Sequence, residues 1–229
     1  MNNIPINLFL LILMVAIGVD ANVITDEQTM VASLASRNKK PESDPNDRTR
    51  LIVSSDYDTR EQERILYVLK QIKQGWSEPL WRELLKHAGD EEYCITTRLP
   101  NSPGLKHWTV GDVCEHLCFA QLLNIIEDIN QDVLSVPRPL KGTKTYFVDL
   151  IGKIELSEWV ANREGKSYRE LQLEVLKVAK KQIENDKTIP ADQKQKAISI
   201  LDKRIESLTS EGPVFGKIGF NFEKYGLVR

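Results

Sequence analysis

The stretch KHWTVGDVCEHLCFAQ, residues 106–121, places one histidine between two cysteines on a predicted helix. Thr109 is a favourable N-cap residue, and Asp112 brings a carboxylate to the amide-rich helix start. The apolar pattern carries this helix to about Val133. His116 shares its helix face with three apolar residues, at offsets of three, four and seven: Val113, Ala120 and Leu123. His116 is therefore expected to point inward.

The two cysteines of this stretch lie on a neighbouring stripe of the same helix. Cys114 and Cys118 are one turn apart, whereas His116 points away from their mean direction, because each residue turns the helix by about 100°. A zinc site formed by these three residues is therefore excluded on geometry. A single inward histidine is most often a hydrogen-bonded core residue, and metal ligation is the less common alternative.

Composition bounds the classes of protein to consider. The chain has 229 residues, of which 41% are hydrophobic and 28% charged, as in ordinary globular proteins. Its 31 basic and 33 acidic residues give a net charge of −2, so no basic surplus exists for binding nucleic acid. A protein partner or a homodimer remains open.

The N-terminus predicts export. An apolar run of 12 residues, Leu8–Val19, has the length of a signal-peptide core and is short for a membrane span. Residues 1–21 are therefore predicted to be a signal peptide cleaved after Ala21. This implies a secreted or periplasmic protein with no stable membrane span after cleavage. Because no Lys or Arg precedes the run, an uncleaved membrane anchor is the alternative.

Export also bears on the three cysteines, since oxidising compartments favour disulfides. A bond between Cys114 and Cys118 would strain their helix, so Cys94 with Cys114 or Cys118 is the more plausible pair. Three buried free thiols are an equally good interpretation, because burial alone suits cysteine.

The rest of the chain divides into a linker and one helical domain. Residues 22–58 include the charged, proline-containing run RNKKPESDPNDRTR and are predicted to be a flexible linker. The folded domain is expected over residues 59–229. Residues 94–107 contain prolines and a glycine and are predicted to be a loop.

Helical periodicity dominates that domain, and strand patterns are almost absent, so the predicted fold class is all-α. Pro79 fits the first turn of a short helix, and Ser167 with Glu170 forms a capping box. Besides the helix of His116, the predicted helices cover four segments: residues 59–75, 78–89, 167–187 and 191–209.

Three segments together resemble one known family. WTVGDVCEHL, residues 108–117, is similar to the signature of the DinB/YfiT-like superfamily of metalloenzymes. PRPLKGTKTYFVDLIGKI, residues 137–154, resembles the basic stretch that follows this helix in one branch. GPVFGKIGFNFEKYG, residues 212–226, resembles the "HPFFGKLT..EW" element of that branch. The resemblance spans about residues 56–229.

The resemblance implies an up-down-down-up four-helix bundle and a divalent metal, zinc or nickel, held by three histidines. His116 matches the first ligand position. The other two are expected after the FGKLT-like element, but no histidine or cysteine follows Cys118 in this sequence. Three carboxylates could complete a site, although no spacing singles them out: Asp149, Glu155 and Glu158.

Two functional hypotheses follow. The first is an exported DinB-like helical-bundle protein that lacks a functional metal centre, needs no cofactor and acts as a binding or structural protein. The alternative is a metal- and thiol-dependent transferase or hydrolase of the DinB type, with zinc or nickel bound at His116.

Overall fold

Seven helices and four strands make up the part of the chain that the computed structural model describes, residues 26–47, 49–98, 104–132 and 156–216. Only the backbone is described for residues 127–132. In chain order the elements are α1 Glu27–Ala32, β1 Glu42–Ser43, β2 Leu51–Ile52, α2 Arg60–Gln74, α3 Glu78–Lys86, β3 Tyr93–Arg98, β4 Leu105–Thr109, α4 Val110–Asp132, α5 Leu156–Ala161, α6 Tyr168–Asn185 and α7 Ala191–Glu211.

The prediction of an all-α, up-down-down-up four-helix bundle is wrong. Two antiparallel sheets of two strands each, β1–β2 and β3–β4, accompany the helices and make the fold mixed. The predicted loop at 94–107 is largely the β3–β4 hairpin. Its first strand, YCITTR, contains an aromatic and several β-branched residues, which suit a strand better than a loop.

Helix α4 lies at the centre of the fold. It contacts α3, α5, α6 and α7 as well as both strands of the β3–β4 hairpin. The predicted cap at its start is confirmed, because the Asp112 amide donates to Thr109 Oγ1 over 3.0 Å and the Thr109 amide donates to Asp112 Oδ2 over 3.2 Å. The residues on its core face are fully or almost fully buried: Cys114, Leu117, Cys118, Gln121 and Leu122.

The segment predicted to be a linker carries structure between residues 26 and 58. Val31 and Leu34, in and just after α1, are fully buried. The Arg64 guanidinium of α2 donates to Ser33 O and Ala35 O over 2.6 and 2.8 Å, which ties this segment to the domain. A six-residue helix with so few core residues gives almost no periodic pattern.

The other predicted helices are confirmed. Pro79 lies in the first turn of α3, and Ser167 forms the expected capping box with Glu170 at the start of α6. Within the described residues, no helix combines the length and the apolar character needed to cross a membrane. The predicted signal peptide, residues 1–21, lies outside the described residues.

Candidate functional site

His116 lies on the flank of α4, where its side chain is half-buried. Its ring meets the Trp108 ring edge to face, with centroids 6.1 Å apart and an angle of 74° between the planes. The core face of the helix is instead the stripe that contains Cys114 and Cys118. The histidine and the cysteines therefore occupy different environments.

A metal at His116 would need further ligands. Among the described residues, no three His, Cys, Asp or Glu side chains lie close enough together to hold an ion. Glu158 lies in α5, whereas Asp149 and Glu155 fall outside the described part of the chain. The role of His116 as a metal ligand stays a prediction.

All three cysteines are buried free thiols. Burial, and to a lesser extent the nearby Asp90 carboxylate, raises the pKa of Cys114 to about 12. Burial, and then the neighbouring Cys114 thiol, also raises the pKa of Cys94 and of Cys118. These thiols stay protonated at neutral pH, and a protonated thiol is a poor nucleophile and a poor metal ligand.

Cys118 is engaged by a neighbouring helix. Its thiol donates to Trp81 O over 3.4 Å, and the Trp81 indole N–H donates to Cys118 O over 3.0 Å. Cys94 and Cys114 lie close enough for their thiols to interact electrostatically. A disulfide of Cys94 with Cys114 or Cys118 stays a prediction for the oxidised protein.

Two buried polar side chains lie where α4 and α6 meet the segment that follows α7. Gln121 of α4 and Gln172 of α6 are 0% and 1% exposed. A buried carboxamide without partners costs about 1–3 kcal/mol, so both side chains need partners. They find them in segment 212–216, which contacts both helices at this site. We call this site the glutamine groove.

Each glutamine pairs with the backbone of one residue, as a neighbouring β-strand would. Gln172 donates to Val214 O over 2.7 Å and accepts from the Val214 amide over 3.1 Å. Gln121 donates to Gly216 O over 3.3 Å and accepts from the Gly216 amide over 3.1 Å. In an extended chain, residues two apart present their backbone groups to the same edge. The pairing of the two glutamines with residues 214 and 216 is therefore the pattern that an extended backbone allows.

Side chains add a second layer of recognition. The Phe215 ring stacks on the Tyr168 ring with centroids 4.8 Å apart and planes 6° from parallel. A Cβ at Gly216 would lie 1.6 Å from Asn124 Nδ2, so a larger residue there would push Asn124 aside. The Val214 side chain, in contrast, is 46% exposed. The groove thus holds an aromatic residue followed by glycine, with the side chain of the preceding valine largely in solvent.

A second polar arrangement joins the two sheets. Ser43 Oγ lies 3.3 Å from His107 Nε2, and His107 Nδ1 lies 2.8 Å from Thr96 Oγ1, which is itself 2.8 Å from Tyr93 Oη. Burial, and then the nearby Lys40 ammonium, lowers the pKa of His107. A neutral imidazole donates at one nitrogen and accepts at the other, which suits its place between two hydroxyl groups.

This histidine leads to an expected pH dependence of stability. As the pH falls below the ordinary pKa of 6.5, the unfolded chain takes up a proton at His107 before the folded chain does. The stability that the neutral ring contributes is therefore complete above about pH 6.5 and declines as the pH falls toward the lowered pKa. Urea unfolding at several pH values should show a shallower decline for His107→Gln. If the free energy of unfolding depends on pH in the same way for wild type and His107→Gln, His107 is not the group responsible.

Sequence reasoning missed the glutamine groove because glutamine usually indicates a solvent-facing position. One signal was present, since Gln121 falls on the same helical stripe as Cys114 and Cys118. Gln172 carried no comparable signal, because its burial depends on where segment 212–216 returns to the domain. Comparisons with protein-family models, with curated proteins and with solved structures gave no match to this chain.

Proposed function

We propose that the protein is an exported binding protein that holds an extended polypeptide segment in the glutamine groove. The observation that carries this proposal is the pair of buried carboxamides, Gln121 and Gln172, each hydrogen-bonded to both backbone groups of one residue in an extended segment. Export rests on the predicted signal peptide.

The groove suits polypeptide ligands for a physical reason. Backbone hydrogen bonds supply affinity that does not depend on sequence, and pockets for alternate side chains supply specificity. Here the Tyr168 ring and the space limited by Asn124 take the second role. The proposed partner is therefore a protein with an exposed, extended segment. Binding of this kind requires neither a metal nor a cofactor.

The proposal is tested with a labelled peptide of sequence SEGPVFGK, that of residues 210–217, added to the full-length Phe215→Ala variant. This variant weakens the chain's own occupant by removing its aromatic contact. Fluorescence anisotropy should show saturable binding with a Kd of about 10–100 μM, because few groups are buried. Adding Gln172→Ala should weaken binding about tenfold, since two backbone groups of the peptide lose their partner.

The matched control is Gln74→Ala, which removes an exposed carboxamide on α2 and should leave the Kd unchanged. A peptide in which the phenylalanine is alanine controls for the aromatic contact and should bind weakly. The proposal fails if the Phe215→Ala protein does not bind SEGPVFGK, or if Gln172→Ala and Gln74→Ala bind it equally well.

A further inference from the structure

We infer that residues 212–216 act as an internal pseudo-ligand that closes the glutamine groove, and that a partner segment with an aromatic residue followed by glycine binds by displacing them. This inference rests on the proposed function and adds its regulation and the sequence of its partner. Three observations carry it: the position of the segment at the surface, the backbone of Gly212 and the fit at Gly216.

The segment lies at the surface and contacts the hydrophobic core through the Phe215 side chain. It follows the last turn of α7 and crosses the groove with the Val214 side chain exposed to solvent. Within the described residues, its hydrogen bonds to the rest of the domain are made with Gln121 and Gln172. A partner backbone would form the same bonds, so exchange leaves neither carboxamide unsatisfied.

Gly212 determines how firmly the groove is closed. It leads the chain from α7 into the groove with φ 104° and ψ −171°, a conformation that residues with side chains rarely adopt. A Cβ at this position would meet nothing within 4 Å. Gly212→Ala therefore strains the closed arrangement by its backbone alone and leaves every residue of the groove in place.

The fit at Gly216 restricts the partner. Because a Cβ there would collide with the Asn124 carboxamide, a residue larger than glycine after the stacked aromatic ring has to displace the Asn124 side chain, which favours glycine at this position. The covalent link to α7 also determines how strongly segment 212–216 competes with a free peptide for the groove. A segment attached by a short linker acts at an effective concentration of about millimolar, so an untethered peptide binds the closed protein weakly.

The experiment compares binding of labelled SEGPVFGK to three full-length proteins: wild type, Gly212→Ala and Gly165→Ala. Strain of the size expected for alanine at positive φ should open the groove, and we expect Gly212→Ala to bind at least fivefold more tightly than wild type. Gly165 also has a positive φ, 84°, and nothing within 4 Å of a Cβ, but it lies between α5 and α6. Gly165→Ala carries similar strain and should bind like wild type.

A second peptide, SEGPVFAK, tests the sequence of the partner and should bind Gly212→Ala several-fold more weakly than SEGPVFGK, because alanine has to displace the Asn124 side chain. Equal binding of SEGPVFGK to wild type and Gly212→Ala, with binding still lost on Gln172→Ala, would overturn the pseudo-ligand and leave the groove as a binding site. Absence of binding to every variant, Phe215→Ala included, would overturn both. Equal binding of the two peptides would overturn the preference for glycine.

Discussion

Gly111→Ala is expected to lower the free energy of unfolding by about 3 kcal/mol. A Cβ at this position would lie 2.7 Å from Ala88 O and 2.8 Å from both the N and the O of Asp90. All three are backbone atoms, so no flexible side chain can move aside. The Gly111 amide also donates to Asp90 O over 2.8 Å, which fixes the start of α4 against this turn.

The matched control is Gly89→Ala in the same turn. A Cβ there would meet nothing within 4 Å, and this substitution should change stability by less than about 0.5 kcal/mol. Urea unfolding of the two variants and wild type measures the difference. Equal stability of Gly111→Ala and Gly89→Ala would show that the turn adapts to a side chain at position 111. The short distance from Gly111 to the Ala88 and Asp90 backbone would then not affect stability.

Helix ends were the most predictable part of the fold, because they depend on local chemistry. The Thr109–Asp112 and Ser167–Glu170 caps are each made by residues three apart, and the structure has both. Such contacts are encoded within a single turn of chain. Their position in the sequence is therefore enough to place α4 and α6.

The hairpin and the N-terminal segment were less predictable, because their partners are distant or hidden. β3 contains Cys94 at a register shift, which interrupts the alternation that would mark a strand. The residues after α1 are held by Arg64, some 30 positions further along the chain. Neither contact leaves a periodic pattern, so the sequence indicated a loop and a linker.

One part of the candidate site was indicated by the sequence and another part was not. Phe215 and Gly216 belong to the stretch that resembles the FGKLT-like element, and they occupy the groove. Membership of the DinB/YfiT-like superfamily stays a prediction, because no comparison bears on it. What the sequence could not supply is the long-range pairing of Gln121 and Gln172 with this segment, 95 and 42 positions away.

Trp81 connects the core of the protein to that groove. It is fully buried, and its indole N–H donates to Cys118 O of α4. Its ring lies 4.8 Å from that of Tyr168, which in turn stacks on Phe215 at 4.8 Å. Removing Trp81 therefore takes away both a hydrogen bond and the surface that holds the Tyr168 ring in position.

Trp81→Ala is accordingly expected to lower the free energy of unfolding by about 3–5 kcal/mol, as for other buried tryptophans. Trp76→Ala is the matched control, because this side chain is half-buried and its buried indole nitrogen has no hydrogen-bond partner among the described residues. Trp76→Ala should lower the free energy of unfolding by less than half as much as Trp81→Ala. Equal losses in urea unfolding would show that neither the hydrogen bond to α4 nor the contact with Tyr168 stabilises the fold.

The milder Trp81→Phe variant extends the same prediction to the groove, because it keeps an aromatic ring while removing the indole N–H. It should remain folded at low temperature and lose about 2 kcal/mol of stability, from the hydrogen bond and the smaller ring together. In the Phe215→Ala background, SEGPVFGK should also bind more weakly, because Tyr168 loses its support and no longer presents a fixed face to the incoming phenylalanine. Unchanged peptide binding would mean that Tyr168 is positioned by α6 alone.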